Sequence, residues 1–218
     1  VDTPNGQRAA NVGRFKIAAD ADVDTGVIAF VAPTDGGLSG AETVTVMLRN
    51  FGTVSQSNIP VSFTVDGGAA VNEIFTGTIA PASNEMYTFT ATASLGADGT
   101  TYNLCARTTL AGDEIPTNDE FCMDVTHLND NDTGVTSIDA PVSGNGLGVE
   151  NISVTIQNFG AATQTSIPVF YTFNGGAAVM ETYTGSIAQG ATDTYTFTAS
   201  EDFSELGDYD VVAGTDLA

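Results

Sequence analysis

The side chains able to do chemistry are few. His127 is the single imidazole, so a Ser-His-Asp or Cys-His constellation would have to use it, and no Gly-x-Ser-x-Gly elbow occurs. It stands where a strand enters a linker, a place for a solvent-facing or linker-packing residue rather than a catalytic base. With one His and two Cys, Cys105 and Cys122, a zinc centre of several His or Cys ligands cannot be assembled. Carboxylates abound, yet acids scattered over strands form a solvated surface more often than a glycosidase pair. No phosphate-cradling loop is present, and the expectation is a protein that is not an enzyme. Two runs are rich in oxygen ligands: Asp20, Asp22 and Asp24, and then Asn129, Asp130, Asn131 and Asp132. Such residues gather Ca2+, but Asp and Asn also favour turns on their own account, so an ion site and a plain linker both fit. No cofactor is required, and Ca2+ is the one candidate.

Charge narrows the partners. The 218 residues carry 27 Asp plus Glu against 5 Lys plus Arg, a formal net charge of -22. A phosphate backbone needs clustered Lys and Arg, so nucleic acid is excluded, and anionic membranes are disfavoured for the same reason. A hydrophobic content of 42% is that of a folded chain. No apolar run approaches the roughly 18 residues that span a bilayer, so membrane insertion is not expected. The first sixteen residues lack the apolar core of a signal peptide, so the sequence reads as a mature form or an excised piece.

The elements that must position these residues are strands. Thr, Val, Ile, Phe and Tyr alternate in short runs broken by Gly, Asn, Asp and Pro, which predicts an all-β protein. The chain also repeats itself at a shift of 108 residues: Asp22–Val27 returns as Asp130–Val135, Asn50-Phe51-Gly52 as Asn158-Phe159-Gly160, and Tyr87–Ala91 as Tyr195–Ala199. About half the aligned positions are identical. In the first copy, strands are predicted near 26–32, 42–50, 58–66, 71–79, 84–92, 101–109 and 119–126, the spacing of a β-sandwich. Val44, Val46 and Leu48 should face inward, as should Ile59, Val61, Phe63 and Val65. Asp66-Gly67-Gly68 and Asn174-Gly175-Gly176 read as hairpin turns, and Tyr102 and Tyr209 as tyrosine corners.

Three features carry a resemblance: the segment from Glu42 through Val46 and Leu48 to Asn50-Phe51-Gly52 with its second copy, the Ile-Pro-Val strands at 59–61 and 167–169, and Asn118-Asp119 following Gly112-Asp113. Residues 22 to 218 resemble the bacterial cell-adhesion-related domains called CARDB, and are similar to copies in large secreted surface proteins of gliding and marine Bacteroidetes. The resemblance implies tandem immunoglobulin-like modules outside the cell, serving as spacer, stalk or adhesive unit, and brings no catalytic residue. In such an extracellular chain Cys105 and Cys122, on the last two strands of the first copy, read as a cross-strand disulfide, the alternative being two buried thiols. Asn131 and Asn151 head glycosylation sequons.

The phase of the repeat is its most informative property. Residues 22–128 form the first expected sandwich, whereas the second, 129–218, reaches only Leu217-Ala218, the counterparts of Leu110-Ala111. It therefore lacks a match for the last strand, in which Phe121, Met123 and Val125 alternate. Residues 1–21 hold an orphan strand, Arg14, Phe15, Lys16, Ile17 and Ala19, with Phe15, Ile17 and Ala19 at the same two-residue spacing. The few residues between Ala19 and Thr25 span about 20 Å at most, too little to return this strand to the second copy of its own chain. Donation to a neighbour by strand addition would be heterologous, non-closing and filament-forming. A fragment cut from a longer tandem array accounts for the same phase. Arg8, Arg14 and Lys16 are three of the five basic residues, and none follows Arg107, so a basic strand would meet an acidic groove. The expected function is a structural subunit of an extracellular filament or surface stalk, its partners identical subunits head to tail. The alternative is an adhesive or carbohydrate-binding spacer of a long secreted protein, with a surface glycan or cell-surface ligand as partner.

Overall fold

The computed structural model describes residues 21–217, and Asp20 with the orphan strand lies outside the described residues. Among those described there are thirteen strands and no helix. The first seven are β1 (Thr25–Ala32), β2 (Glu42–Asn50), β3 (Gln56–Val65), β4 (Val71–Ile79), β5 (Asn84–Ala93), β6 (Thr101–Thr108) and β7 (Glu120–Thr126). They form two antiparallel sheets, ordered β1-β2-β5 and β4-β3-β6-β7. The remaining six are β8 (Thr133–Ala140), β9 (Val149–Asn158), β10 (Gln164–Phe173), β11 (Val179–Ile187), β12 (Thr192–Asp202) and β13 (Val211–Thr215). Their sheets are β8-β9-β12 and β11-β10-β13. Each pair of sheets faces across its own core, as a β-sandwich does: one core gathers residues from Val27 to Val125, the other from Val135 to Ala213.

Alternation builds these cores. Val44, Val46 and Leu48 are fully buried, and Ile59, Val61 and Phe63 nearly so, while Thr43, Thr45 and Met47 between them are not. Phe63 meets Phe89 edge-on at 4.8 Å, and Tyr171 meets Phe197 likewise at the same distance. The two Gly-Gly hairpins turn through positive φ at both central residues, Asp66 and Gly67 in one and Asn174 and Gly175 in the other, as their sequences predict. The hydroxyl of Tyr102 accepts from the Ala97 amide and that of Tyr209 donates to the Glu205 carbonyl. Both tyrosines thus bond backbone a few residues upstream, as a tyrosine corner does.

The Asn-Phe-Gly repeat is a docking knot for the chain entering each sandwich. Asn50 donates through Nδ2 to the carbonyls of Val54 and Ile79 and accepts from Gly52, and Asn158 does the same with Ala162, Ile187 and Gly160. Both asparagines are completely buried, so these bonds satisfy groups that water cannot reach. A Cβ on Gly52 would lie 2.5 Å from the Asp22 carbonyl oxygen, and one on Gly160 would lie 2.5 Å from that of Asp130, so the turn must be glycine.

A carboxylate shuts one open side of each sandwich. Glu73 on β4 accepts from the Tyr87 hydroxyl at 2.6 Å, the Thr90 hydroxyl at 2.7 Å and the Thr90 and Ala91 amides at 3.0 Å, all on β5 in the facing sheet. Glu181 on β11 repeats this with Tyr195, Thr198 and Ala199 on β12. Partial burial raises the Glu73 pKa, but the hydrogen bonds from Tyr87, Thr90 and Ala91 outweigh it and hold the group at about 2. Burial and then the bond to Glu73 push Tyr87 up to about 12. The opposite side of the first sandwich is closed by β7. The carbonyl just ahead of it, Asp119 O, accepts from Val27 of β1 and Thr108 of β6, so the entry to β7 ties both sheets together. Cys105 of β6 and Cys122 of β7 are directly opposed and joined by a disulfide.

Two outcomes follow. Since the folded pKa of Glu73 lies below its ordinary 4.5, its stabilising contribution is full above that value and lost as the pH falls from 4.5 towards 2. Glu73→Gln should cost about 1 kcal/mol at neutral pH, allowing for the solvent that reaches the clamp. Its deficit in melting temperature against the parent should shrink on acidification; a deficit constant with pH would contradict the clamp. Replacing both Cys105 and Cys122 by Ser opens a loop of sequence separation 17. Chemical denaturation should show a loss of roughly 3 kcal/mol.

Candidate functional site: a groove on the second sandwich

The two copies differ in strand pairing along one side. In the first sandwich β6 is covered on its outer side by β7; in the second its counterpart β13 pairs only with β10 among the described residues. The consequence reaches the core. Leu104, Ala106 and Thr108 are buried on β6, whereas their equivalents Val211, Ala213 and Thr215 are only half-buried. Thr25 and Val27 are likewise buried on β1, and their equivalents Thr133 and Val135 on β8 only half so. A slot lined by β8 and β13 therefore runs along this side, offering unpaired backbone groups of β13 and apolar side chains at its floor.

Hydrogen bonding marks the same slot. Thr108 donates through its hydroxyl to the Thr25 carbonyl at 2.9 Å, and Thr215 to the Thr133 carbonyl at 2.7 Å, so the floor is built alike in both copies. Above that floor the copies part. The Thr25 amide and hydroxyl both donate to Asp113, in the loop between β6 and β7. The Thr133 hydroxyl is buried and has no hydrogen-bond partner among the described residues. A buried hydroxyl left unpaired costs free energy, and among the described residues this one lacks the partner that the loop before β7 gives Thr25.

At one end the slot widens into a cavity of about 450 Å3, whose walls include Ile138, Pro141, Val142, Leu147, Phe203 and Tyr209. In the first sandwich the equivalent place is occupied by the end of β7. Val125 is fully buried there, and the His127 ring approaches the Leu95 carbonyl at 3.0 Å through Nδ1 and Asp98 at 3.4 Å through Nε2. Phe203 stands where Leu95 stands, and Ile138 where Phe30 stands. Glu205, Asp208 and Asp210 also line the cavity, so its mouth is acidic.

The residues singled out by sequence are placed as follows. His127 is buried rather than solvent-facing, because the strand end turns it under the loop before Thr100; it packs the linker and holds backbone. Phe121 departs from the expected buried alternation: it is 37% exposed and only Val125 of its row is fully enclosed, since β7 overhangs the edge of the core at its start. Among the described residues the acidic runs do not meet one another. Asp22 accepts from the Thr53 hydroxyl and Asp24 from Asn118 on the first sandwich, while Asn131 accepts from Gln164 on the second. Among the described residues, three His, Cys, Asp or Glu groups approach closely enough to share an ion only at Cys105, Glu120 and Cys122, two of which are the disulfide. Arg14, Phe15, Lys16, Ile17, Ala19 and Asp20 fall outside the described residues. Sequence reading missed the Glu73 and Glu181 clamps. Their signal was a Glu with Tyr and Thr at offsets of 14 and 17 in both copies. No helix among the described residues is long and apolar enough to cross a membrane.

No family model matches the sequence, and no curated protein does. Among solved structures the chain is similar to the crystal structure of red sea bream transglutaminase, with 9% identity and a TM-score of 0.40 over 92% of this chain and 29% of that one. The chain thus spans less than a third of that protein's length, and likeness at this level carries no argument about activity.

Proposed function

We propose that this chain is a structural subunit of an extracellular filament or surface stalk, two immunoglobulin-like, CARDB-like modules in tandem, joined head to tail by donated strands. The occupant of the slot on the second sandwich is the segment 14–19 of another copy. One observation carries the reading: the slot between β8 and β13 has the floor of a strand site, its core residues are left half-buried, and β13 pairs only with β10 among the described residues.

Three further points support it. Residues 14–17 alternate basic and apolar, Arg14 and Lys16 with Phe15 and Ile17, so one face suits the apolar floor and the other the acidic surroundings. Ala21 is pinned, its carbonyl accepting from Thr53, at the far end of the first sandwich from the second. The eight residues of β1 alone separate those ends by roughly 23 Å at about 3.3 Å each, so one linking residue, Asp20, cannot carry the segment to the slot of its own molecule. The contact is heterologous and therefore propagates. The continuous path from β7 through Leu128 into the second sandwich also favours a longer tandem array, with the slot closed by sequence that follows and the protein acting as an adhesive or glycan-binding spacer.

Electron microscopy separates the two. The purified chain should form fibres repeating every two modules, and Phe15→Asp with Ile17→Asp should leave soluble monomers. Discrete rods from the unaltered chain would contradict donation and favour the spacer. A peptide of residues 12–21 should raise the melting temperature of the monomeric variant by several degrees, and a scrambled peptide should not.

A further inference from the structure

Resting on donation in trans, we infer that the junction between successive molecules copies the covalent junction inside each one, and that this sets the register of the incoming strand: Ile17 takes the place of Val125 and Lys16 faces Asp210 of the receiving copy. Apolar spacing alone permits Phe15 at the place of Phe121, which would seat Ala19 where Val125 sits. The junction geometry selects the register two residues further on.

Inside the chain, β7 passes into the second sandwich with almost no slack. His127 donates its amide to the Thr100 carbonyl, Leu128 donates to Gly36, and the very next carbonyl, Asn129, accepts from Ala161. The first sandwich is entered in the same way: Ala21 accepts from Thr53 as Asn129 does from Ala161, Asp22 from Val54 as Asp130 does from Ala162, and Asp24 from Phe51 and Gly52 as Asp132 does from Phe159 and Gly160. The leading faces of the two sandwiches are therefore one design at a shift of 108 residues. Across the covalent junction the Gln189 amide donates to the Asp35 carbonyl at 3.4 Å, and a Cβ on Gly37 would touch that of Ala161 at 3.3 Å, so the modules abut closely. A strand seated so that Phe15 replaces Phe121 would leave one residue, Asp20, between Ala19 and the pinned Ala21 of its own sandwich to do what three do between Val125 and Asn129. Modules already in contact cannot draw closer by that amount. Keeping the shift of 108 past Asp22 preserves the linker.

Residue chemistry agrees with the longer register. Ile17 then fills the one position of β7 that is wholly buried, and Phe15 takes the half-buried place of Met123; Phe121, itself 37% exposed, is matched by Gly13 and needs no apolar substitute. In the first sandwich Asn103 donates across the strand pair to Asp124 at 2.8 Å. Asp210 occupies the place of Asn103, as its amide bond to Asn174 repeats that of Asn103 to Asp66. Lys16 occupies the place of Asp124. The neutral–acidic pair Asn-Asp becomes the acidic–basic pair Asp-Lys, with the positive charge on the donated strand. The alternative register sets uncharged Ala18 against Asp210.

The native disulfide supplies the test. Cys105 and Cys122 are opposed across β6 and β7, and their equivalents in the inferred junction are Val212 of one molecule and Arg14 of the next. The full chain carrying Arg14→Cys and Val212→Cys should, after oxidation of preformed fibres, run as a ladder of covalent multimers on non-reducing denaturing gels. The chain with Lys16→Cys and Val212→Cys, which matches the other register, should remain mostly single. A ladder from the second pair and not the first would overturn the register while leaving strand donation in place, as would fibres that yield no ladder from either pair. Absence of fibres from the unaltered chain would overturn donation and the register with it.

Discussion

A β-strand at the side of a sandwich does two jobs with one backbone: it satisfies the hydrogen-bonding groups of its neighbour and it walls off the core beneath. Everything distinctive in this protein follows from one sandwich having that strand and the other lacking it among the described residues. In the first, β7 pairs along β6 and the carbonyl just ahead of it reaches β1 as well, so a single segment binds the two sheets. In the second, the Glu181 clamp holds the sheets together on one side and the Thr215 to Thr133 bond on the other, along the slot. Its floor is rigid because a buried core of Ile152, Val154, Ile156, Ile167, Val169 and Phe197 lies behind it.

Much of this was legible in the sequence. Strand positions in the first copy fall within two residues of those read from alternation, because Val, Ile and Thr at a period of two have one stable arrangement on a half-buried sheet. The hairpins were legible because Asp-Gly-Gly and Asn-Gly-Gly demand positive φ. The opposed cysteines were legible once two adjacent antiparallel strands had been placed, although the choice between disulfide and free thiols needed the structure. The phase of the repeat pointed to the side of the second sandwich that differs.

What could not be read depends on contacts between distant residues. Asn50 and Asn158 look like turn residues, and nothing local reveals that each is a wholly buried bracket for carbonyls 29 positions away. Glu73 reads as a solvated acid on a strand, yet it gathers four donors from the facing sheet. His127, adjoining a linker rich in Asn and Asp, reads as either solvent-facing or linker-packing, and only the loop that folds over it decides for the buried, linker-packing place. Alternation also overstated the burial of Phe121: period shows which face of a strand points inward, not how far the core extends beneath it. The acidic charge acquires a role only with the slot in view. Repulsion among modules so rich in carboxylate discourages indiscriminate edge pairing.

Amide hydrogen exchange along β13 bears most directly on the central claim, that this edge is a site for a strand from another molecule. In the Phe15→Asp, Ile17→Asp variant the outward-facing amides of Val211–Thr215 should exchange rapidly while those bonded to β10 stay protected. In the unaltered protein at assembling concentrations both sets should be slow. Outer amides equally fast in the two samples, or equally slow in the dispersed variant, would contradict the account.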